Sequence, residues 1–213
     1  MPRQQPDRNR INRHKERGHY DTETIHAILD QAKICHVGFN MDGQPFVIPM
    51  AFARQGNSLL LHGAPNSRLL GQLASGFPVC VTITHLDGLV LARSTFHHSM
   101  NFRSVVAFGT ARPVNDLEEK HAALIALTEH LTPGRTTLAR AATDQEVMAT
   151  AVVRFEIEEA SAKVRRGPPL DSPKDRQLDV WAGVIPIHSV EGEPIPAPDL
   201  KPELCTQEPV KPA

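Results

Sequence analysis

Apolar residues near the start of the chain change from a helical to a strand-like spacing at about residue 33. One set stands three or four positions apart, as on one face of a helix: Ile25, Ile28, Leu29 and Ala32. Asp21 is of a type that caps helices, so we predict a helix over about residues 22–32. Short β-rich runs follow, with turn residues at 41–43 and 55–57. They predict two successive hairpins from strands 34–40, 45–54 and 58–63.

The rest of the chain continues this alternation of short strands with occasional helices. A short helix is predicted after Asn66 or Ser67, either of which can cap it, and Gly76 closes it. A longer helix begins at Asp116, and Thr143 with Glu146 forms a capping box for another. Further strands are predicted at 78–84, at 89–96 after a turn at Asp87–Gly88, and at 102–114, 152–164 and 178–187.

Seven or eight closely spaced strands, with helices at the ends and between hairpins, predict a mainly β fold of the α+β class. An antiparallel barrel with appended helices fits this order better than a doubly wound parallel sheet. Neither G-x-G-x-x-G nor a P-loop occurs, so the standard nucleotide cradles are absent from the sequence. We predict a basic arm at 1–20, a barrel domain at 21–190 and an acidic, proline-rich tail at 191–213.

Charge, hydropathy and cysteine content indicate which partners and which cell compartment to expect. The 23 Lys and Arg residues against 24 Asp and Glu residues leave a net charge of −1, with the excess of basic groups in the arm. The arm lacks aromatic interleaving, which favours a solvated extension or a subunit contact over nucleic-acid binding. No apolar run is long enough for a membrane span. The chain has three cysteines, an odd number, at the widely spaced positions Cys35, Cys80 and Cys205. This predicts reduced thiols and a cytoplasmic protein.

The strongest candidate for chemistry is the segment "LLLHGAPNSRLL". A serine hydroxyl, a guanidinium and the free N–H groups of a helix start can together bind a phosphate, which points to Ser67 and Arg68. The alternative is that Ser67 only caps the helix and Arg68 only faces solvent. His62 and Gly63 end the preceding strand, where His62 either faces a ligand or is a structural strand-end residue.

Proline within the strand "PFVIPMAF" marks a second candidate. Pro49 cannot donate a ladder hydrogen bond, so this strand lies at an edge or is bulged there. The neighbouring backbone groups are then free to face a planar heteroaromatic ligand. An edge strand without any ligand is the alternative.

The paired histidines in "FHHSMNFRS" suggest a metal site at first sight. His97 and His98 are neighbours, however, and in a strand they point to opposite faces, with no cysteine or carboxylate close by. We therefore predict no metal site. Asn101, Arg103 and Ser104 suit a ligand edge or a subunit contact, and Trp181, the one tryptophan, is either a core residue or a ring that stacks on a ligand.

Several of these segments together resemble a known family. The blocks "QPFVIPMAF", "LLLHGAPNSRLL", "FHHSMNFRSVV" followed by "FGTA", and "DVWAGVIPI" are similar to the pyridoxamine 5′-phosphate oxidase-like superfamily. The resemblance covers residues 12–190 and is specific to the flavin-nucleotide-binding branch similar to nitroimidazole-resistance proteins. It implies an antiparallel split β-barrel of the FMN-binding type, and a homodimer with FMN at the subunit interface.

The resemblance also implies roles for individual residues. Backbone groups of Val47, Ile48, Pro49 and Met50 would line the isoalloxazine. His62 and Gly63 would meet the ribityl chain or the substrate side of the ring. The remaining implied contacts are the phosphate motif Ser67 and Arg68, the ring-side pair Arg103 and Ser104, and Trp181 from the partner subunit. Leu69 stands where the family has a lysine, which removes one positive charge from the phosphate motif.

The expected function is that of an FMN-dependent oxidoreductase, with His62 as catalytic proton donor or substrate contact. A nitro-aromatic or other electron-poor small molecule would be reduced, with a reduced nicotinamide as donor. Pyridoxamine phosphate oxidation is disfavoured because an acidic tail replaces the basic C-terminal residues of the true oxidases. One alternative is a haem- or other cofactor-binding protein without flavin turnover, with His62, His97 or His98 on the iron. Another is a nucleic-acid-associated regulator that uses the basic arm.

Overall fold

The computed structural model describes residues 8–204, so Cys205, residues 1–7 of the predicted arm and residues 205–213 of the predicted tail lie outside it. The strands are β1 (Gly18–His19), β2 (Ile34–Met41), β3 (Gln44–Gln55), β4 (Ser58–Gly63), β5 (Val79–Leu91), β6 (Ser99–Pro113), β7 (Ala151–Arg165) and β8 (Gly183–Pro186). The α-helices are α1 (Thr22–Asp30), α2 (Arg68–Ala74), α3 (Leu117–Leu131) and α4 (Asp144–Met148).

Six of these strands close a barrel in which every neighbouring pair is antiparallel. The order is β7, β4, β3, β2, β5 and β6, and β6 pairs with β7 again to close the ring. The short strands lie outside this ring, where β1 extends β7 and β8 extends β5. The predicted antiparallel split barrel with appended helices is therefore confirmed.

Alternation along the strands separates a buried apolar interior from an outer surface. On β2, Cys35, Val37 and Phe39 are buried in the barrel core, whereas Ile34 and His36 point outward and are exposed. This is the period of two that a half-buried strand requires. Burial raises the pKa of the Cys35 thiol to about 12. The thiol therefore stays protonated and acts as a small apolar side chain.

Helix α3 builds a second, smaller core on the outer surface of the barrel. Its residues Ala123 and Leu127 are buried against outward-facing side chains of the sheet and of the segment before α3: Ala53, Leu60, Val114 and Val152. Asp116 accepts a hydrogen bond from the amide of Glu119 and so caps the helix. The predicted caps Asp21 and Thr143 occupy the same position on α1 and α4.

One charged residue interrupts the buried face of α3. Lys120 is only 7% exposed, and its ammonium group has no hydrogen bond or ion pair within residues 8–204. Its neighbours around a cavity of about 240 Å³ are mostly apolar and include Leu70, Val114 and Val152. An apolar side chain would suit these neighbours better than an unpaired ammonium group.

We expect Lys120→Met to stabilise the protein by about 1 kcal/mol, because methionine fills a similar volume without a charge to desolvate. Urea unfolding followed by circular dichroism measures the change. Lys33→Met is the matched control: Lys33 is exposed, so its replacement should shift stability by less than about 0.5 kcal/mol. A loss of stability in Lys120→Met would mean that the ammonium group finds compensation in solution.

The structure corrects three predicted elements. The turn predicted at Asp87–Gly88 is wrong, because β5 runs through it with a register shift between Leu86 and Gly88. Strand β8 approaches so closely there that a Cβ on Gly88 would lie 2.9 Å from the Ile185 carbonyl oxygen. Tertiary pairing with β6 and β8 thus overrides a local turn signal. The predicted strand 89–96 is too long, because β5 ends at Leu91 and Thr95–His97 forms a 3₁₀ turn.

The predicted final strand, 178–187, is also too long. Only residues 183–186 pair with β5, so Trp181 precedes the strand. At the other end of the chain, Arg8 bonds Glu159 of β7 at 3.1 Å and stacks on the Phe108 ring at 4.9 Å. The described part of the basic arm therefore packs on the barrel of its own chain. None of the helices between residues 8 and 204 combines the length and hydropathy that a membrane span requires.

Candidate functional site

An exposed apolar surface crosses three strands on the outside of the barrel. Leu89 of β5 stands opposite Met100 of β6 on one side and Ile185 of β8 on the other, and Leu86 stands opposite Phe102. Directly opposed residues share a face of the sheet. We call these five residues the outer apolar face; Leu86, Leu89, Met100 and Ile185 are each between 40% and 50% exposed. Its exposure makes this apolar face a candidate binding surface.

Trp181 lies at one margin of this face. Its side chain is 65% exposed, and the indole folds back over Gly183, where an added Cβ would lie 3.0 Å from the ring. Gly183 in turn pairs with Leu91 at the end of β5. Of the two sequence interpretations, the core role is wrong, since the ring is available for stacking on a ligand or a partner subunit.

His98 immediately precedes β6, two residues before Met100 of the outer apolar face. Its Nδ1 lies 3.0 Å from the carbonyl oxygen of Ser94. A carbonyl only accepts, so Nδ1 carries the hydrogen, and Nε2 of the neutral ring keeps its lone pair. Nothing within residues 8–204 hydrogen-bonds to that Nε2. An imidazole oriented through one nitrogen with the other left free is the arrangement of a metal-ligating histidine.

The contacts of His97 differ from those of His98. Its ring meets the exposed Phe96 ring edge-on at 5.2 Å, with no hydrogen bond to a described residue. Among the described residues, no group of three or more histidine, cysteine or acidic side chains is placed to hold a metal ion. The two neighbouring histidines therefore have different surroundings, and of the two only His98 has its ring oriented by a hydrogen bond to a described residue.

His62 is a second histidine with an unusual environment. It ends β4 opposite Val152 and alternates with the core residue Leu61, so its side chain points to the outer surface of the barrel. The Nδ1 atom is buried without a hydrogen-bond partner in the described chain, and burial lowers the pKa of the imidazole. His62 is therefore neutral at neutral pH, a form that suits ligand contact or metal ligation better than proton donation.

Strand β3 has an open edge in the region where Pro49 predicts one. Residues 44–51 pair with β2 on one side, whereas the pairing with β4 begins only at Phe52. Val47, 67% exposed, and Pro49 point outward; Ile48 and Met50 pack against the core. The predicted edge is confirmed for the described residues. The four residues can thus face one ligand only through their backbone, as the resemblance implies.

Arg68 joins this edge from the start of α2. Its guanidinium stacks over the ring of Phe46, 5.4 Å from the centroid, and forms no ion pair with a described residue. Ser67 caps α2 by accepting from the amide of Leu70 at 3.5 Å, a long hydrogen bond. Gly63 approaches the same helix, since an added Cβ would lie 3.1 Å from Leu70. The structure therefore places Arg68 against the β3 edge, and Ser67 and Gly63 beside Leu70 in the same helix.

Arg103 lies elsewhere and is fully engaged. Its Nε and Nη2 bond both carboxylate oxygens of Asp87 at 2.9 and 2.8 Å, and Nη1 bonds Gln31 at 2.6 Å. Hydrogen bonding from Arg103 lowers the pKa of the Asp87 carboxyl, so the pair is charged at neutral pH. Arg103 and Ser104 alternate on β6, and the Ser104 hydroxyl donates to the Lys163 carbonyl at 3.4 Å. Within one chain, neither residue lies beside Val47, which pairs near the other end of the barrel.

The outer apolar face and the orientation of His98 were not foreseen from the sequence. Leu89 and Ile185 lie in predicted strands and Leu86 lies just before the predicted turn, whereas their exposure depends on how β8 adds to β5. The only available signal was the polar run around His98 between two apolar stretches.

A family model described as pyridoxamine 5′-phosphate oxidase matches residues 21–164 of the chain. Among solved structures, the flavocytochrome Anf3 from Azotobacter vinelandii is 40% identical, with a TM-score of 0.88 over 96% of this chain and 95% of that one. The FAD and heme binding protein from Mycobacterium smegmatis is 36% identical, with a TM-score of 0.84 over 87% of this chain and 91% of the other.

A more distant similarity reaches a protein from Bacteroides thetaiotaomicron named for 5-nitroimidazole antibiotic resistance. It is 27% identical, with a TM-score of 0.58 over 69% of this chain and 87% of that one. No protein with a curated description matches the chain.

Proposed function

Because the chain belongs to the pyridoxamine 5′-phosphate oxidase family, we propose that it is a redox protein that binds a flavin together with a haem. The observation that carries the proposal is His98, held through Nδ1 with its Nε2 free beside the outer apolar face. The two relatives of 36% and 40% identity support it, since their names give a flavocytochrome and a protein that binds FAD and haem.

The haem would be held by His98 through Nε2, with apolar contacts from Met100 and Trp181. A haem supplies a one-electron centre whose properties follow from its axial ligand and surroundings. Met100 and Trp181 are both large, apolar and exposed, as contacts to a porphyrin require. His62, neutral and with a buried unpartnered Nδ1, is the second candidate for the iron.

The flavin would lie along the open edge of β3, over the backbone of residues 47–50. Ser67 and Arg68 would anchor its phosphate, and His62 and Gly63 would lie beside it. A flavin supplies hydride and single-electron transfer, while the protein supplies position and electrostatics. The resemblance of the sequence favours FMN, whereas the name of one relative gives FAD. Mass spectrometry of the cofactor released by heat identifies which of the two the chain holds.

We also propose that a second copy of the chain covers the outer apolar face. Burial of Leu86, Leu89 and Ile185 in a homodimer would remove apolar surface from water, which is the main favourable term in association. Reduced nicotinamide is the proposed electron donor. Reduction of an electron-poor small molecule, nitro-aromatics included, is the activity favoured by the similarity to the nitroimidazole-resistance protein.

The visible spectrum tests the proposal. After incubation with FAD, FMN and haemin and removal of unbound cofactor by gel filtration, the protein should retain flavin absorption and a Soret band. Trp181 is the only tryptophan, so its emission should fall as the cofactors bind nearby. Protein that stays colourless after all three incubations would contradict the proposed function.

A further inference from the structure

A cavity of about 310 Å³ lies where the 3₁₀ turn Lys15–Arg17 meets the C-terminal end of β7. Its charged lining consists of three guanidinium groups, from Arg17, Arg165 and Arg166, and one carboxylate, from Glu16. None of these residues belongs to the proposed flavin and haem contacts. The lining therefore carries an excess of positive charge that the described residues around the cavity do not balance.

Arg165 is the most deeply buried of the three, at 6% exposed. Its guanidinium donates to the side-chain oxygen of Asn101 and to the carbonyl oxygens of Gly167 and Pro168, the last two at 3.2 and 3.3 Å. All of these acceptors are neutral, and no described carboxylate pairs with it. Burial, and then repulsion from Arg17, lower the pKa of Arg165. A buried cation without a counterion is costly.

The other charges around the cavity do not supply that counterion. Glu16 is exposed, lies 3.6 Å from the Nε of Arg17 and also contacts His14 at 3.2 Å. Arg166 makes no hydrogen bond or ion pair within residues 8–204. Its charge acts on Asp87, but that carboxylate is already bonded to Arg103. Lys163, two residues before Arg165 on β7, adds a further positive charge.

We propose that this cavity binds a phosphate or diphosphate group. Guanidinium groups present their N–H donors in a planar fork that matches two phosphate oxygens at once, which is why arginines recognise such groups. Arg165 is already oriented by its carbonyl contacts, so its donors lose little freedom when an anion arrives. Arg17 and Arg166 would complete the contacts from two sides. The group belongs either to a dinucleotide cofactor or to a separate phosphorylated molecule.

Isothermal titration with inorganic diphosphate tests the site on the full-length protein. Wild type should bind, and Arg17→Gln and Arg166→Gln should each weaken binding by at least about tenfold, since each removes a charged hydrogen-bond donor. Arg112→Gln is the matched control, because Arg112 is an exposed arginine of β6 that does not line the cavity, and it should leave binding within about twofold of wild type. Higher salt should weaken binding by wild type. Absence of binding by wild type, or binding by both cavity variants as tight as that of wild type, would overturn the proposal.

Repeating the titration on protein loaded with FAD distinguishes the two sources. If the loaded protein no longer binds diphosphate and Arg166→Gln weakens FAD but not riboflavin, this cavity, and not Ser67 and Arg68, holds the diphosphate of the cofactor. If loaded and unloaded protein bind diphosphate equally, the cavity takes a separate phosphorylated molecule. Failure of the protein to bind any flavin would contradict the proposed function alone, because the titration with inorganic diphosphate does not depend on it.

Discussion

Replacing Gly109 by alanine should destabilise the protein by at least about 3 kcal/mol, among the larger effects expected of one methyl group. Gly109 lies in β6 at the register shift where β7 carries an extra residue, so that Phe108 pairs with Glu159 but Gly109 pairs with Ile157. A Cβ at Gly109 would stand 1.9 Å from the carbonyl oxygen of Glu156. The clash is with backbone, which cannot move aside without opening the seam that closes the barrel.

Gly71→Ala is the matched control for this prediction. Gly71 lies within α2, and outside the helix's own backbone no described residue stands within 4 Å of the position of its missing Cβ. Alanine there should be neutral or stabilise by up to about 1 kcal/mol, because it favours the helix over the unfolded chain. Urea unfolding followed by circular dichroism compares the two. A Gly109→Ala protein as stable as wild type would show that β6 and β7 can separate locally at no cost.

Local signals account for the parts of the fold that the sequence predicts well. Asp21, Asp116 and Thr143 cap helices because a side-chain oxygen reaches an amide only three residues away. The failed prediction at Asp87–Gly88 has the opposite origin. An aspartate–glycine pair favours a turn locally, but pairing on both sides of β5 holds the chain extended through it. Pairing partners distant in sequence are not visible in a local pattern.

The candidate site also contains residues that a local sequence pattern could place and residues that it could not. Pro49 predicts an open strand edge because the missing N–H group is a property of that residue alone. Arg103 could not be placed from its neighbours, since its partners Gln31 and Asp87 come from two other elements. The histidine to test first also changed. The sequence favours His62, whereas the contact between His98 and Ser94 exists only in the folded turn.

His98→Ala should remove the axial ligand of the proposed haem and weaken haem binding by at least about 100-fold. A ligand contributes more than the outer groups that orient it, whose loss already costs ten- to a hundredfold in metal sites. Titration of the protein with haemin, followed through the Soret band, measures the affinity. His121→Ala is the control: that ring bonds Asp144 at 2.9 Å, away from the outer apolar face, and its loss should leave the Soret band unchanged.

Chemical rescue separates ligation from a loss of folding in His98→Ala. Added imidazole can occupy the space left by the side chain, so it should restore the Soret band of the variant if His98 binds the iron. If His98→Ala instead binds haem as wild type does while His62→Ala does not, His62 is the iron ligand. The buried Nδ1 of His62 is then the ring atom without an orienting partner among the described residues. Loss of the Soret band in His98→Ala and its loss in His62→Ala are therefore opposite outcomes of one experiment. We expect the first, because of these two histidines only His98 has its ring held by a hydrogen bond to a described residue.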